Sequence, residues 1–304
     1  MDQTLGYFLV RPKYWLGLLG FGISWLVARL PRAVQRGIAR ALGFLMLKIA
    51  GRHKRIVDRN LQLCFPEKSK HEREKIIKEN AYLTGYGVME TSACWFSNLS
   101  AYLKDTRVNG LENLHSALAK GKGVILLSFH NTGLEIGAQL LSHQERIYGM
   151  YKPDKNLLIE YMMRTGRLRH VNGLIKQNDV RTMIKTLKQN GIVWYAADQD
   201  YGKNRSAVFA PFFGIPASTI TATTKFAKMT GAAVIPFTQV RKNNAKDYEL
   251  TIYPALEDFP GNNELEDATR INAILEDILR ENPADYFWVH KRFKTRPEGE
   301  PGLY

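Results

Sequence analysis

The run Val124-Ile-Leu-Leu-Ser-Phe129, bounded by Gly123 and the Asn131-Thr-Gly133 cluster, is a short continuous β-prone or apolar stretch. A strand without polar alternation has both faces buried, and sheets buried on both faces are the mainly parallel ones covered by helices. The run ends in His130, at a strand's carboxyl end, where open α/β sheets place their ligands. Glu135 follows five positions later. On a single helix the two would stand about 140° apart at 3.6 residues per turn. With His130 in the turn and Glu135 in the first turn of a helix marked by Leu134, Ile136, Leu140 and Leu141, they would meet. Asn131 or Thr132 would cap that helix. A carboxylate so placed would fix the imidazole tautomer and stabilise its charged form. A single histidine after a strand is more often only a polar loop residue, so the assignment needs support from elsewhere in the chain.

The 304 residues suffice for a sizeable core, and Lys and Arg outnumber Asp and Glu by 43 to 29, a net charge of +14. Such a chain is drawn to something anionic, whether nucleic acid, a membrane surface, a phosphorylated substrate or an acidic protein. The two cysteines, Cys64 and Cys94, form neither a disulfide framework nor a zinc spacing, as expected in a reducing compartment. Residues 14–28 carry no charge and have Trp15 and Trp25 near their ends, with Arg29, Arg32, Arg36 and Arg40 downstream. The stretch is shorter than the roughly 20 apolar residues of a perpendicular span, but tilt and snorkelling would close the gap. The aromatic ends and basic flank read as a membrane anchor with the rest of the chain cytoplasmic, and residues 41–47 as an amphipathic helix at the interface. A buried core helix is the competing reading. The expected division is an anchor and interfacial helix over residues 1–50 and a single α/β domain over residues 51–304.

Residues 71–95 read as one long helix or two, with Glu90 on a face that should be apolar, where it is expected to be a surface residue. From Val108 strands and helices alternate. A strand is expected over residues 146–151, a helix over 155–167, and a helix capped by Asp179 whose Val180, Met183, Ile184 and Leu187 share one face. The strand 192–197 runs directly into Asp198-Gln-Asp200. Ser218 or Thr219 is expected to cap a helix that Gly231 ends, strands follow at 232–240 and 248–254, and Ile271, Ile274, Leu275 and Ile278 mark a last helix.

Three further places carry chemistry. Arg164, Arg167 and Arg169 lie at a helix end, where guanidinium forks suit a phosphorylated head group, or merely complement the helix dipole. Asp198 and Asp200 at a strand's carboxyl end would ligate Mg²⁺, or orient a hydroxyl or an arginine such as Arg167, Arg169 or Arg205. No third acid lies nearby, which favours the arginine. The apolar loop 207–216 is either core or the border of an acyl-chain groove. The basic tail 290–296 lacks the spaced aromatics that single-strand nucleic-acid binders use.

Taken together these residues resemble the lipid A late acyltransferase family, the lauroyl and myristoyl transferases of lipopolysaccharide synthesis. The resemblance rests on His130 and Glu135 as His-x4-Glu, on Gly166-Arg-Leu-Arg169, Trp194-Tyr-Ala-Ala-Asp-Gln-Asp-Tyr-Gly202 and Phe209-Ala-Pro-Phe-Phe213, and on Trp288-Val-His-Lys-Arg-Phe-Lys-Thr-Arg-Pro297. Glutamate at 135 and Tyr201 after Asp200 look closer to the lauroyl type. The resemblance implies a glycerolipid-acyltransferase-like α/β fold on the cytoplasmic face of the bacterial inner membrane. It implies an enzyme that moves a fatty acyl group from acyl carrier protein to a hydroxyl of an acyl chain on a lipid A precursor. His130 would be the general base, oriented by Glu135. Arg167 would contact lipid phosphate or the intermediate, with Arg164 and Arg169 beside it, and Asp198 or Asp200 would hold the arrangement. Neither metal nor cofactor is expected beyond the acyl donor. No Gly-x-Ser-x-Gly elbow is present, which leaves direct attack on the thioester. The anionic partners expected are acyl carrier protein, lipid phosphates and inner-membrane lipids, and no nucleic acid. The competing functions are an acyltransferase for a lysophospholipid or another glycolipid, a metal-dependent lipid phosphatase using Asp198 and Asp200, and a basic membrane-tethered binding protein without catalysis.

Overall fold

The computed structural model describes residues 4–203 and 206–304. Among the described residues nine strands are formed: β1 (Thr106–Asn109), β2 (Val124–Ser128), β3 (Ile147–Tyr151), β4 (Gly173–Lys176), β5 (Ile192–Ala196), β6 (Ala207–Phe212), β7 (Ile215–Ile220), β8 (Ala233–Lys242) and β9 (Asp247–Ile252). Seven make one sheet in the order β1-β9-β8-β2-β5-β3-β4, in which every pairing is parallel except β8 with β9. The helices are α1 (Leu5–Leu9), α2 (Trp15–Val27), α3 (Arg32–Ile49), α4 (Gly51–Cys64), α5 (Lys70–Phe96), α6 (Ser100–Leu103), α7 (Leu111–Leu118), α8 (Leu134–Leu141), α9 (Leu157–Arg167), α10 (Val180–Lys188), α11 (Ala222–Thr230) and α12 (Glu264–Glu281).

The two-residue period of a strand sorts the apolar run of β2 between two cores. Ile125 and Leu127 enter one cluster with Val193 and Tyr195 of β5 and residues of α4, α10, α11 and α12. Val124 and Leu126 enter the opposite one with Ile192, Trp194 and residues of α5, α7 and α8. The expected parallel sheet with helices on both faces is therefore what forms, and β2 lies at its centre.

Several local expectations are corrected. Ser218 and Thr219 belong to β7, and the helix that follows begins only at Ala222, with Thr221 at its N-cap position making no side-chain capping bond. The apolar loop is a hairpin: β6 and β7 pair antiparallel around Phe213 and Gly214, both at positive φ, the backbone of a tight two-residue turn. Its Phe212 and Phe213 rings pack against each other and against Phe65, Tyr286 and Phe293, which makes this end of the hairpin core. Residues 71–95 form one helix, α5, opened by a capping box in which Ser69 and Glu72 satisfy each other's backbone.

The expected anchor is also shorter than a membrane needs. Among the described residues no helix is long and apolar enough to cross one. The 13 residues of α2 lie beside α5, with Phe21 against Trp95 and Phe96. Helix α3 packs on α5 at backbone contact, because a Cβ on Gly85 would stand 2.2 Å from the Ala39 carbonyl oxygen. The outward face of α2 is uncovered: Trp15, Leu16, Leu19, Ile23, Trp25 and Leu26 are all exposed.

Candidate active site

Adjacent parallel strands carry their residues forward in step. The register of β2 against β5 ends with Ser128 opposite Ala196, so two residues further on His130 lies beside Asp198. The His130 amide donates to both carboxylate oxygens of Asp198, at 3.0 and 3.1 Å, and its ring Nδ1 lies 2.8 Å from Oδ1. Asp198 is 2% exposed at its side chain, His130 24%. Burial works against the Asp198 charge, but the imidazole and its hydrogen bonds bring the carboxyl down to about 2. A carboxylate that is ionised at neutral pH only accepts, so Nδ1 carries the proton and Nε2 keeps its lone pair. Burial lowers the imidazole pKa, and the charge and hydrogen bond of Asp198 outweigh it, leaving His130 above its ordinary value.

Glu135 is not the partner of His130. It sits in the first turn of α8 and binds Arg167, whose Nε and Nη2 approach its two oxygens at 2.9 and 2.6 Å, while Trp95 Nε1 donates at 2.8 Å and Gln139 Nε2 at 2.9 Å. Burial raises the Glu135 pKa, but Arg167 more than offsets it and the net shift is downward. The expectation failed because α8 starts at Leu134 and turns Glu135 toward α5 and α9, while β5 brings a nearer acid. Close packing holds this arrangement: a Cβ on Gly166 would lie 2.7 Å from Trp95.

The other expected site residues are dispersed. Asp200 accepts from the amides of Gly202 and Thr295 and from the Thr295 hydroxyl, each at 2.8 Å, and so ties down the tail. The two aspartates thus serve different places, Asp198 at His130 and Asp200 at the tail. Arg164 is half-buried in the last turn of α9 and Arg169 is exposed, while Arg167 is engaged with Glu135. Arg205 lies outside the described residues. The basic tail is largely internal: Arg292 is fully buried and donates to Ser218 and Thr219.

Beside His130 lies a cleft of about 380 Å³, lined by Phe21 of α2, by Val88, Thr91, Trp95 and Phe96 of α5, and by Phe287 of the tail. Gly87 of α5 and Thr132 of the His130 loop, both in its lining, meet at backbone contact, because a Cβ on Gly87 would meet the Thr132 carbonyl oxygen at 2.1 Å. The cleft offers a mainly apolar surface with His130 in its lining, and in the neutral imidazole Nε2 keeps its lone pair.

Sequence reasoning missed Glu90, Arg241 and Asp285. Glu90, expected at the surface, is 2% exposed and pairs with Arg241 at 2.6 Å, and Arg241 reaches Asp285 at 3.1 Å. The signal was present in Glu90 itself, a carboxylate on an otherwise apolar face, which stays charged in a core only with a partner.

The pattern described as bacterial lipid A biosynthesis acyltransferase matches residues 8–295. The lipid A biosynthesis lauroyltransferase of Escherichia coli (strain K12) is 40% identical over 297 residues, 97% of this chain and 97% of that protein. The palmitoleoyltransferase of the same organism is 36% identical over 97% of this chain and 96% of its own, and its myristoyltransferase 26% identical over 95% and 90%. Among solved structures, the 1-acyl-sn-glycerophosphate acyltransferase of Thermotoga maritima gives a TM-score of 0.39 at 15% identity, covering 84% of this chain and 100% of that one. Matched along nearly its whole length and similar to the lauroyl type, the chain belongs to the bacterial lipid A biosynthesis acyltransferase family.

Proposed function

We propose that this enzyme transfers a fatty acyl group, a lauroyl group by similarity, from acyl carrier protein to a hydroxyl of an acyl chain on a lipid A precursor, with His130 as the general base. The observation that carries this reading is the His130–Asp198 pair beside a mainly apolar cleft. Nε2 takes the proton from the attacking hydroxyl as the new ester C–O bond forms. The thioester C–S bond breaks, and the proton passes from the imidazole to the leaving thiolate. Asp198 holds the tautomer and stabilises the transient imidazolium. Glu135 and Arg167 act at one remove, fixing α8 against α5 and α9.

The uncovered apolar face of α2, with Arg29, Arg36 and Arg40 beside it, supports seating on the anionic cytoplasmic surface of the inner membrane without spanning it. That seating brings the cleft, which α2 partly walls, to the level of the acceptor's acyl chains. The net charge of +14 suits both an acidic carrier protein and lipid phosphates.

The test is incubation of purified protein with labelled lauroyl-acyl carrier protein and either a lipid A precursor or a lysophospholipid. Label is expected in the lipid A precursor. Label in the lysophospholipid alone would reassign the acceptor, and no transfer to either would remove the activity.

A further inference from the structure

A buried charged group outside the dyad centres on Arg241, near the end of β8. Its Nε and Nη2 bind the two oxygens of Glu90 at 2.7 and 2.6 Å, and the Tyr248 hydroxyl donates to the same carboxylate at 2.6 Å. The remaining contacts go to Thr132 of the His130 loop and to Asp285. Nη1 reaches Thr132 Oγ1 at 2.7 Å and Asp285 Oδ1 at 3.1 Å, and Nη2 reaches the Thr132 carbonyl at 3.0 Å. The Thr132 hydroxyl in turn donates to Asp285. The loop has no slack against this fork, because a Cβ on Gly133 would lie 3.2 Å from Nη2.

Fold stability alone is a weak account of such a cluster, since a buried ion pair rarely outperforms a well-packed apolar replacement. Its direction is informative. A guanidinium with fixed fork geometry is aligned by one carboxylate, and it grips both the carbonyl and the hydroxyl of the residue two positions after His130. We propose that Arg241, aligned by Glu90, is a positioning residue that clamps Thr132 and thereby sets the His130 ring against Asp198 and the cleft. The inference rests on the reading of His130 as the base.

Arg241→Lys keeps the charge but cannot hold Glu90 and both Thr132 oxygens at once. Thr132→Val removes only the hydroxyl at nearly constant shape. The expected result for folded Arg241→Lys is a kcat lower by about 10- to 100-fold, the range for a slightly misplaced catalytic group, with KM for the acyl donor within about twofold. Thr132→Val is expected to show a smaller loss of the same kind. In both, the downfield proton resonance of the His130 Nδ1–H to Asp198 hydrogen bond should broaden or move. A variant whose melting temperature falls while kcat and that resonance stay at wild-type values would overturn the proposal. If Arg241→Lys does not fold, Thr132→Val decides alone: wild-type kcat and resonance sink the clamp. His130→Ala assayed in parallel separates the two levels. Retained activity there removes the base itself, whereas an inactive His130→Ala beside fully active clamp variants removes only the clamp.

Discussion

Two buried carboxylates flank the His130 loop and face cations of different kinds. Asp198 faces an imidazole, which exchanges its proton near neutral pH, whereas Glu135 faces the guanidinium of Arg167, which does not. Local spacing made Glu135 the natural partner of His130, yet the sheet delivers Asp198 from β5. In the mechanism proposed above, proton chemistry falls to the pair that can titrate, and the permanently charged pair holds the frame. A sequence motif can therefore mark two residues of one site without their touching.

The sharpest way to break this division is His130→Ala, expected to lower acyl transfer by about 10²- to 10⁴-fold with the fold intact by circular dichroism. Undiminished turnover would end the assignment. Asp198→Asn should follow with a loss of up to about 10⁴-fold, because the imidazole loses its tautomer lock. The pH profile adds a signed check. In the wild type the base is active only when neutral, and Asp198 holds its pKa above the ordinary value, so kcat/KM should climb with pH through an inflection above about 6.5. Without the carboxylate, burial acts unopposed and the rising limb should move to lower pH.

Glu135→Gln tests the other half. It strands Arg167 without its counter-charge, with an expected cost of about 2 to 3 kcal/mol in thermal or denaturant unfolding and no movement of the pH inflection. A shifted inflection would merge the two pairs into one titrating unit. Smallest is the effect of Leu19→Gln on the uncovered face of α2. Flotation with anionic vesicles should show about tenfold weaker binding, the equivalent of about 1.4 kcal/mol of lost apolar burial. Unchanged partition would move the membrane contact elsewhere.

Much of the frame was legible because it is written locally. The continuous apolar runs of β2 and β5 implied burial on both faces, and Asp179 does cap α10, accepting from the Thr182 amide. What escaped depends on partners far away in sequence. Asp198 meets His130 through strand register, which no local period records. Glu90 finds Arg241 at a separation of 151 residues. The β6–β7 hairpin was masked by Pro211 and Pro216, which suit a short two-stranded ribbon that no central strand has to accept. The 14–28 stretch combined aromatic ends and a basic flank in a pattern that helices of different lengths share, and its 13 helical residues beside α5 follow from packing that the pattern does not record.

The segment around residues 284–288 gives the site a history as well as a shape. Phe287 donates to the His130 carbonyl, Thr132 donates to the Asp285 carbonyl, and Asn80 of α5 holds both Ala284 and Tyr286. The loop that carries the base is thus synthesised early and restrained by chain made 153 residues later. On a ribosome the sheet has its strands well before His130 has its seat. A chain that stops short of residue 288 therefore lacks the contacts that seat His130.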